Sequence, residues 1–315
     1  MNITLICCGR WGTFLAWYLC DLRHRVTLYG RESSPHMLTL RQTRQNDLLR
    51  LPDALELTTA LAKRPELYVI SIGSQGLRSL LRTQKDALSG IPLVLCMKGL
   101  EVETGQRLTE IVREELGDSQ PVAVWLGPGH VQEFLKRVPN CMVIDSADNA
   151  LKERLVNAFS SELIRFYYGR DLIGNEIGAA SKNVIGIAAG MLDGLGLGTL
   201  KGALMSRGTR EIARLIAALG GSELSAYGLC HLGDYEATVF SPHSHNRAFG
   251  ECFVRNQPYT QLAEGCSTVQ ALMALQRRTG VELPICDTVN AILHEGQEPK
   301  ACLGRLFSRS LKSEF

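Results

Sequence analysis

Short, nearly unbroken apolar runs recur through the first half of the chain, at residues 3–7, 26–29, 67–72, 93–96, 122–125 and 142–144. Polar, helix-forming stretches such as 103–116 and 149–159 separate them. A run that is apolar without alternation suits a strand buried on both faces, and helices returning between such strands are what cover those faces. The pattern therefore predicts a doubly wound parallel α/β sheet of Rossmann type. Its first unit is the clearest, because Leu15, Tyr18, Leu19 and Leu22 fall at the i, i+3, i+4, i+7 spacing of one helix face between the first two runs. The opening thirty residues thus read as β-α-β with a right-handed crossover.

A chain of 315 residues exceeds the size at which one core stops growing, which predicts two domains. The last strand-like run, 165–168, is followed by helical periodicity such as Ile212, Leu215, Ile216 and Leu219. The expected division is an α/β domain over residues 1–172 and an all-α domain over residues 173–315. No Pro/Ser-rich linker or repeat intervenes, so close packing with a cleft between the domains is expected.

Composition narrows the function classes. Thirty-four basic against 32 acidic residues leave a formal charge of +2, too small a field to imply a nucleic-acid partner. The most apolar long stretch, 184–200, contains Asp193 and repeated glycines, so no membrane insertion is expected. The start of the chain enters a strand pattern directly, without a basic segment or a small-residue cleavage site. The ten cysteines are scattered without a CxxC pair, which favours reduced thiols and a cytoplasmic protein.

Between the first strand and helix stands Cys7-Cys8-Gly9-Arg10-Trp11-Gly12, where a Gly-x-Gly-x-x-Gly turn would admit a dinucleotide pyrophosphate. Gly9 allows close backbone approach, Gly12 allows tight helix-strand packing, and the helix N-terminus offers a positive dipole end. Cys7 takes the place of the first glycine, and a plain strand-to-helix turn is the alternative. At the end of the second strand, where an acidic residue normally meets the adenosine ribose, the chain has Arg31. That guanidinium would pair with a 2′-phosphate or stack on adenine, so NADP is accepted as well as NAD; a solvated loop arginine is the alternative.

Two lysines stand where packing alone does not ask for them. Lys98 follows a strand run, at the sheet edge where α/β proteins bind ligands. Lys182-Asn183 interrupts the small-residue apolar stretch 177–189. A lysine there is either desolvated and suited to proton transfer, or snorkels its head into water.

At this point the chain resembles the bacterial-type NAD(P)-dependent sn-glycerol-3-phosphate dehydrogenases over nearly its whole length. The residues carrying the likeness are Gly9-Arg10-Trp11-Gly12-Thr13, Lys98-Gly99-Leu100-Glu101 with Thr104-Gly105, Gly127-Pro128, and Lys182-Asn183-Val184-Ile185. They continue with Asp193-Gly194-Leu195-Gly196, Ser206-Arg207-Gly208, Leu232-Gly233-Asp234, Asn246-Arg247 and Glu264-Gly265. The resemblance implies interconversion of dihydroxyacetone phosphate and sn-glycerol 3-phosphate with NADP or NAD, and homodimers are common in the family. It further implies Lys182 as general acid/base at the C2 oxygen, Lys98 contacting that oxygen, and Asp234 with Asn183 holding them in position. Thr238 and the segment Ser244, His245, Asn246, Arg247 would bind the polar end of the substrate. Gly127, Val131 and Glu264 would lie near the cofactor, beside Gly9, Arg10, Trp11, Gly12, Arg31 and Lys98.

The chain also departs from the family. His245 replaces the first arginine of Ser-Arg-Asn-Arg, which implies weaker and more pH-dependent anion binding. The turn Thr199-Leu200-Lys201 is one residue short, and Gly129-His130-Val131 replaces Ser-Phe-Ala. Two alternatives stay open: a dehydrogenase of another small phosphorylated or hydroxy-acid substrate, and a catalytically weak nucleotide-binding regulatory protein. His231, His243 and His245 lie close in sequence, but the expected chemistry needs no metal and none is assigned.

Overall fold

The structure is a computed structural model that describes residues 1–61 and 64–308. The chain forms two compact units, one made of Met1–Lys98 and Arg107–Glu176, the other of Gly99–Gln106 and the chain from Ile177 on. Relative to the expected boundary at 172/173, the second unit thus also takes in Gly99–Gln106.

The first unit contains β1 (Asn2–Ile6), α1 (Arg10–Asp21), β2 (Arg25–Tyr29), α2 (Pro35–Thr43), β3 (Glu56–Thr58), β4 (Leu67–Ile70), α3 (Leu77–Thr83), α4 (Lys85–Leu88) and β5 (Leu93–Leu95). It continues with α5 (Leu108–Leu116), β6 (Val122–Leu126), α6 (Val131–Leu135), β7 (Asn140–Asp145), α7 (Asn149–Phe159) and β8 (Ile164–Tyr168). The strands lie in the order β3-β2-β1-β4-β5-β6-β7-β8. The chain therefore winds outward from β1 on one side, then returns to β4 on the other, and this reversal makes the C-terminal end of β1 a topological switch point. The unbroken apolar runs are the interior strands: every residue of β4 and β6 is buried. Trp125 of β6 meets Tyr18 and Phe166 edge-on within a core that also holds Phe14, Phe134 and Phe159.

Three details differ from the sequence expectation. The sheet is not wholly parallel, because β7 runs antiparallel to β6, with Trp125 opposite Ile144, and β8 runs parallel to β7. The connection between β6 and β7 holds only the short α6, and a parallel return needs a crossover, usually a full helix. The edge strand β3 has a single apolar residue, Leu57, and leaves no run to detect. The helix expected over 103–116 begins only at Leu108, since Gly105 takes φ of 69° and closes a turn through its N–H to Glu101 O.

The second unit holds most of α8 (Leu172–Gly194), then α9 (Lys201–Ala218), α10 (His245–Val254), α11 (Gly265–Thr279), α12 (Pro284–His294) and α13 (Pro299–Phe307). Gly186, Gly190 and Gly194 recur every fourth residue along α8, on one face. A Cβ on Gly190 would lie 1.9 Å from Arg247 O, and one on Gly250 of α10 would lie 2.1 Å from Ile187 O. The two helices therefore cross in backbone contact, which only glycine permits. Among the described residues no helix is long and apolar enough to cross a membrane, and no disulfide joins any of the ten cysteines.

Candidate active site

In the first unit the switch point carries the glycine turn. Gly9 is the N-cap of α1 and no side chain caps that end, so the dipole and the first-turn N–H groups face outward from the turn. A Cβ on Gly9 would meet only Cys7 Sγ, at 3.5 Å. What glycine preserves there is open space over the turn, as a diphosphate would require. Gly12 meets a different steric demand, since its Cβ would fall 2.7 Å from Cys7 O and 2.9 Å from Cys7 Cβ, and any larger residue would push α1 off β1. Burial pushes the Cys7 thiol up to about 11, and its sulfur accepts the Gly9 N–H at 3.2 Å; this is a packing cysteine, not a reactive one.

The other first-unit residues expected at a cofactor lie in α1 or in the segments that follow β2, β5 and β6. Trp11 packs against Phe14, with centroids 5.2 Å apart, and against Phe134 of α6 at 6.3 Å. Arg10 pairs with Asp47. Arg31 is exposed just past β2. Lys98, beyond β5, donates to Gly127 O at 2.6 Å and so ties the ends of β5 and β6 together. Gly127 has φ of 126°, with Met142 Cα 3.0 Å from where its Cβ would stand. Val131 is buried in the core, so its side chain serves packing.

In the second unit Lys182 sits midway along α8, 8% exposed. Its Nζ lies 3.0 Å from Asp234 Oδ2 and donates to Thr238 Oγ1 at 2.7 Å. Thr238 in turn donates to Asp234 O at 2.7 Å. An ammonium cannot be buried alone, and here a carboxylate that is 1% exposed accompanies it. Two irregular turns deliver these partners: a 3-10 turn at Leu232–Asp234 and a π-type turn at Glu236–Phe240, the latter a geometry common at functional sites. Beside Lys182, Asn183 Oδ1 accepts from Asn246 Nδ2 at 3.1 Å, and Asn246 Oδ1 accepts the Gly265 N–H at 2.9 Å. Glu264 stands next to that contact, at the start of α11.

The segment from Ser244 to Arg247 divides by role. Ser244 caps α10 by accepting the Arg247 N–H. His245 Nδ1 is 2.9 Å from Tyr259 Oη. Arg247 donates to Asp193 at 2.5 Å and to Ser241 O at 3.3 Å. Among the described residues no three His, Cys, Asp or Glu side chains are placed to share a metal ion.

The matching families decide what this arrangement belongs to. The family model for the "NAD-dependent glycerol-3-phosphate dehydrogenase N-terminus" matches residues 2–152, and that for the corresponding C-terminus matches residues 171–304. A glycerol-3-phosphate dehydrogenase [NAD(P)+] of Janthinobacterium sp. (strain Marseille) is 37% identical over the whole of both chains. The chain belongs to the NAD-dependent glycerol-3-phosphate dehydrogenase family. A Streptomyces coelicolor relative of the same name is also 37% identical, over 97% of this chain and 96% of its own. A solved glycerol-3-phosphate dehydrogenase from Coxiella burnetii superposes with a TM-score of 0.90 at 27% identity, covering 98% of each chain.

Within this family member, sequence reasoning missed residues that act through distant partners. His231 is wholly buried, with Nδ1 2.9 Å from Gly178 O and Nε2 2.8 Å from Tyr235 Oη. It anchors the Asp234 turn to α8, and no sequence spacing links it to Gly178. Asn46 donates to Thr13 Oγ1 at 2.7 Å beside the glycine turn; a polar loop residue carries no signal of that kind.

Burial pushes the His231 imidazole down to about 4. An unfolded histidine titrates near ~6.5, so only the unfolded state takes up the proton between these values. The stabilisation is complete above pH ~6.5 and is lost as pH falls toward 4, by about 3 kcal/mol in all. The Glu211 carboxyl, buried against the N–H groups of Ile285 and Cys286 and pushed up to about 7 by that burial, has the opposite slope. Denaturant unfolding of wild type and His231→Gln should therefore converge as pH drops from neutral to about 4.5. A constant gap between the two would show that His231 does not titrate in this way.

Proposed function

We propose that this chain catalyses the reversible NAD(P)H-dependent reduction of dihydroxyacetone phosphate to sn-glycerol 3-phosphate, supplying the backbone of glycerolipids. The observation that carries this reading is the buried Lys182 ammonium, held by Asp234 and Thr238. Reduction of a ketone places a proton on the carbonyl oxygen, and Lys182 is the group proposed to deliver it and, in reverse, to accept it. Asp234 fixes the ammonium and keeps its charge compensated before and between turnovers. Lys98 is proposed as the second cation that stabilises negative charge gathering on that oxygen. Asn183, Thr238, Ser244, His245, Asn246 and Arg247 are assigned to the hydroxyl and phosphate ends of the substrate, Ser244 and Arg247 by holding the segment in shape.

The residues around the β1–α1 turn fit a nicotinamide dinucleotide, since Gly9 leaves its space open and α1 presents an uncapped N-terminus. When bound, the nicotinamide supplies or takes up the hydride. Gly9, Arg10, Trp11 and Gly12 would hold its diphosphate, Arg31 its adenosine end, and Lys98, Gly127, Val131 and Glu264 would line the remainder, Val131 through its backbone. Arg31→Ala is expected to raise the KM for NADPH about tenfold, the worth of one charge-assisted hydrogen bond, and to leave the KM for NADH nearly unchanged. Equal effects on both cofactors would remove Arg31 from the 2′-phosphate. A cytoplasmic homodimer is the proposed state; sedimentation of the purified protein tests the assembly.

Oxidation of NADPH and NADH by the purified protein, with dihydroxyacetone phosphate as acceptor, tests the reaction. Turnover yielding sn-glycerol 3-phosphate supports it. Turnover only with another small phosphorylated or 2-oxo acid substrate, or cofactor binding without turnover, would replace it.

A further inference from the structure

We propose that Asp193 is a positioning residue for the substrate segment, acting through two cations that it holds together. The proposal rests on the reaction assigned above for its kinetic readout. Asp193 lies in the last turn of α8, where its Oδ2 accepts from Lys201 Nζ at 2.6 Å and from Arg247 Nη1 at 2.5 Å. Each cation then makes a second bond to the chain between Thr238 and α10. Lys201 Nζ donates to Val239 O at 3.2 Å and stands 5.3 Å from the centroid of the Phe240 ring. Arg247 Nε donates to Ser241 O. One carboxylate thereby pins residues 239–247 at both ends.

What the pinned segment carries gives the arrangement its meaning. Thr238, just before it, accepts from Lys182, and Asn246, near its end, donates to Asn183. The side chains of Lys201, Asp193 and Arg247 are 11%, 19% and 19% exposed, so solvent screens their attraction little. Removing the carboxylate would leave two cations facing each other, with Glu251, 3.4 Å from Arg247, compensating only one of them. The segment would then loosen, while Lys182 and Asp234 keep their own contact. The consequence is a loss of substrate affinity rather than of proton delivery.

Asp193→Asn is expected to raise the KM for dihydroxyacetone phosphate about tenfold or more, with kcat and the KM for NADPH within about twofold of wild type. Asp193→Glu should restore most of the affinity. In the ligand-free protein, hydrogen exchange of residues 239–247 should lose protection in Asp193→Asn and recover in Asp193→Glu. If Asp193→Asn does not fold, Lys201→Met carries the same readouts, because it removes the bond to Val239 O and leaves Asp193 paired with Arg247. An unchanged KM together with unchanged exchange would overturn the proposal, as would a fall in kcat at constant KM. Absence of wild-type turnover with dihydroxyacetone phosphate would instead count against the assigned reaction. The exchange measurement still decides the role of Asp193 in that case, since it needs no substrate.

Discussion

Lys182→Ala is expected to lower kcat for dihydroxyacetone phosphate reduction by about 10²–10⁴-fold, the usual range for loss of a positioned general acid. The KM for NADPH should change little, because the cofactor residues around Gly9 belong to a separate unit of the chain. The substitution also has a structural cost. Asp234 is 1% exposed, and a carboxylate left without its cation destabilises a fold by about 3–5 kcal/mol. The variant Lys182→Ala/Asp234→Asn removes that charge and should recover stability without recovering rate. This dissociation separates chemistry from folding. A kcat within about tenfold of wild type in a folded Lys182→Ala protein would remove Lys182 from the chemical step.

Gly190→Ala is expected to destabilise the protein by about 3 kcal/mol or more, the upper range for overpacking. The added methyl would stand 1.9 Å from Arg247 O, and the atom in its way is backbone that cannot rotate aside. Relief requires α8 and α10 to separate, which carries Asn246 away from Asn183 and Arg247 away from Asp193. The KM for dihydroxyacetone phosphate should therefore rise along with the loss of stability. Gly202 in the first turn of α9 provides the control, since nothing lies within 4 Å of its added Cβ. Gly202→Ala should stabilise by about 0.4–1 kcal/mol through the unfolded state. Denaturant midpoints of the two variants measure both effects, and equal midpoints would show that the helix crossing tolerates a methyl.

The parts of this molecule that are legible in its sequence are those whose cause is local. Strands buried on both faces, such as β4 and β6, must be apolar throughout, and that leaves a visible run. The glycine turn is legible because Gly9 and Gly12 answer two separate steric demands within six residues. Lys182 stands out as a charge in a stretch otherwise suited to burial. The direction of β7 is not legible, because an apolar run does not record which way the chain travels along it. Gly105 breaks the expected helix through a backbone angle that its polar neighbours disguise. The partners of His231 and Arg247 lie 53 and 54 residues away, so their anchoring roles emerge only when the fold brings Gly178 and Asp193 beside them. The family resemblance implies a substrate role for Arg247. The structure adds an ion pair that holds it within the segment.

Chemical rescue addresses the role of Lys182 most directly. Small primary amines added to the folded Lys182→Ala variant, with NADPH and dihydroxyacetone phosphate at saturation, can occupy the space the side chain leaves and supply the missing proton. With Lys182 as the proton donor, turnover should rise with amine concentration and with the fraction of amine that is protonated. A variant that binds both substrates yet shows no response to any amine, whatever its size, would contradict that assignment.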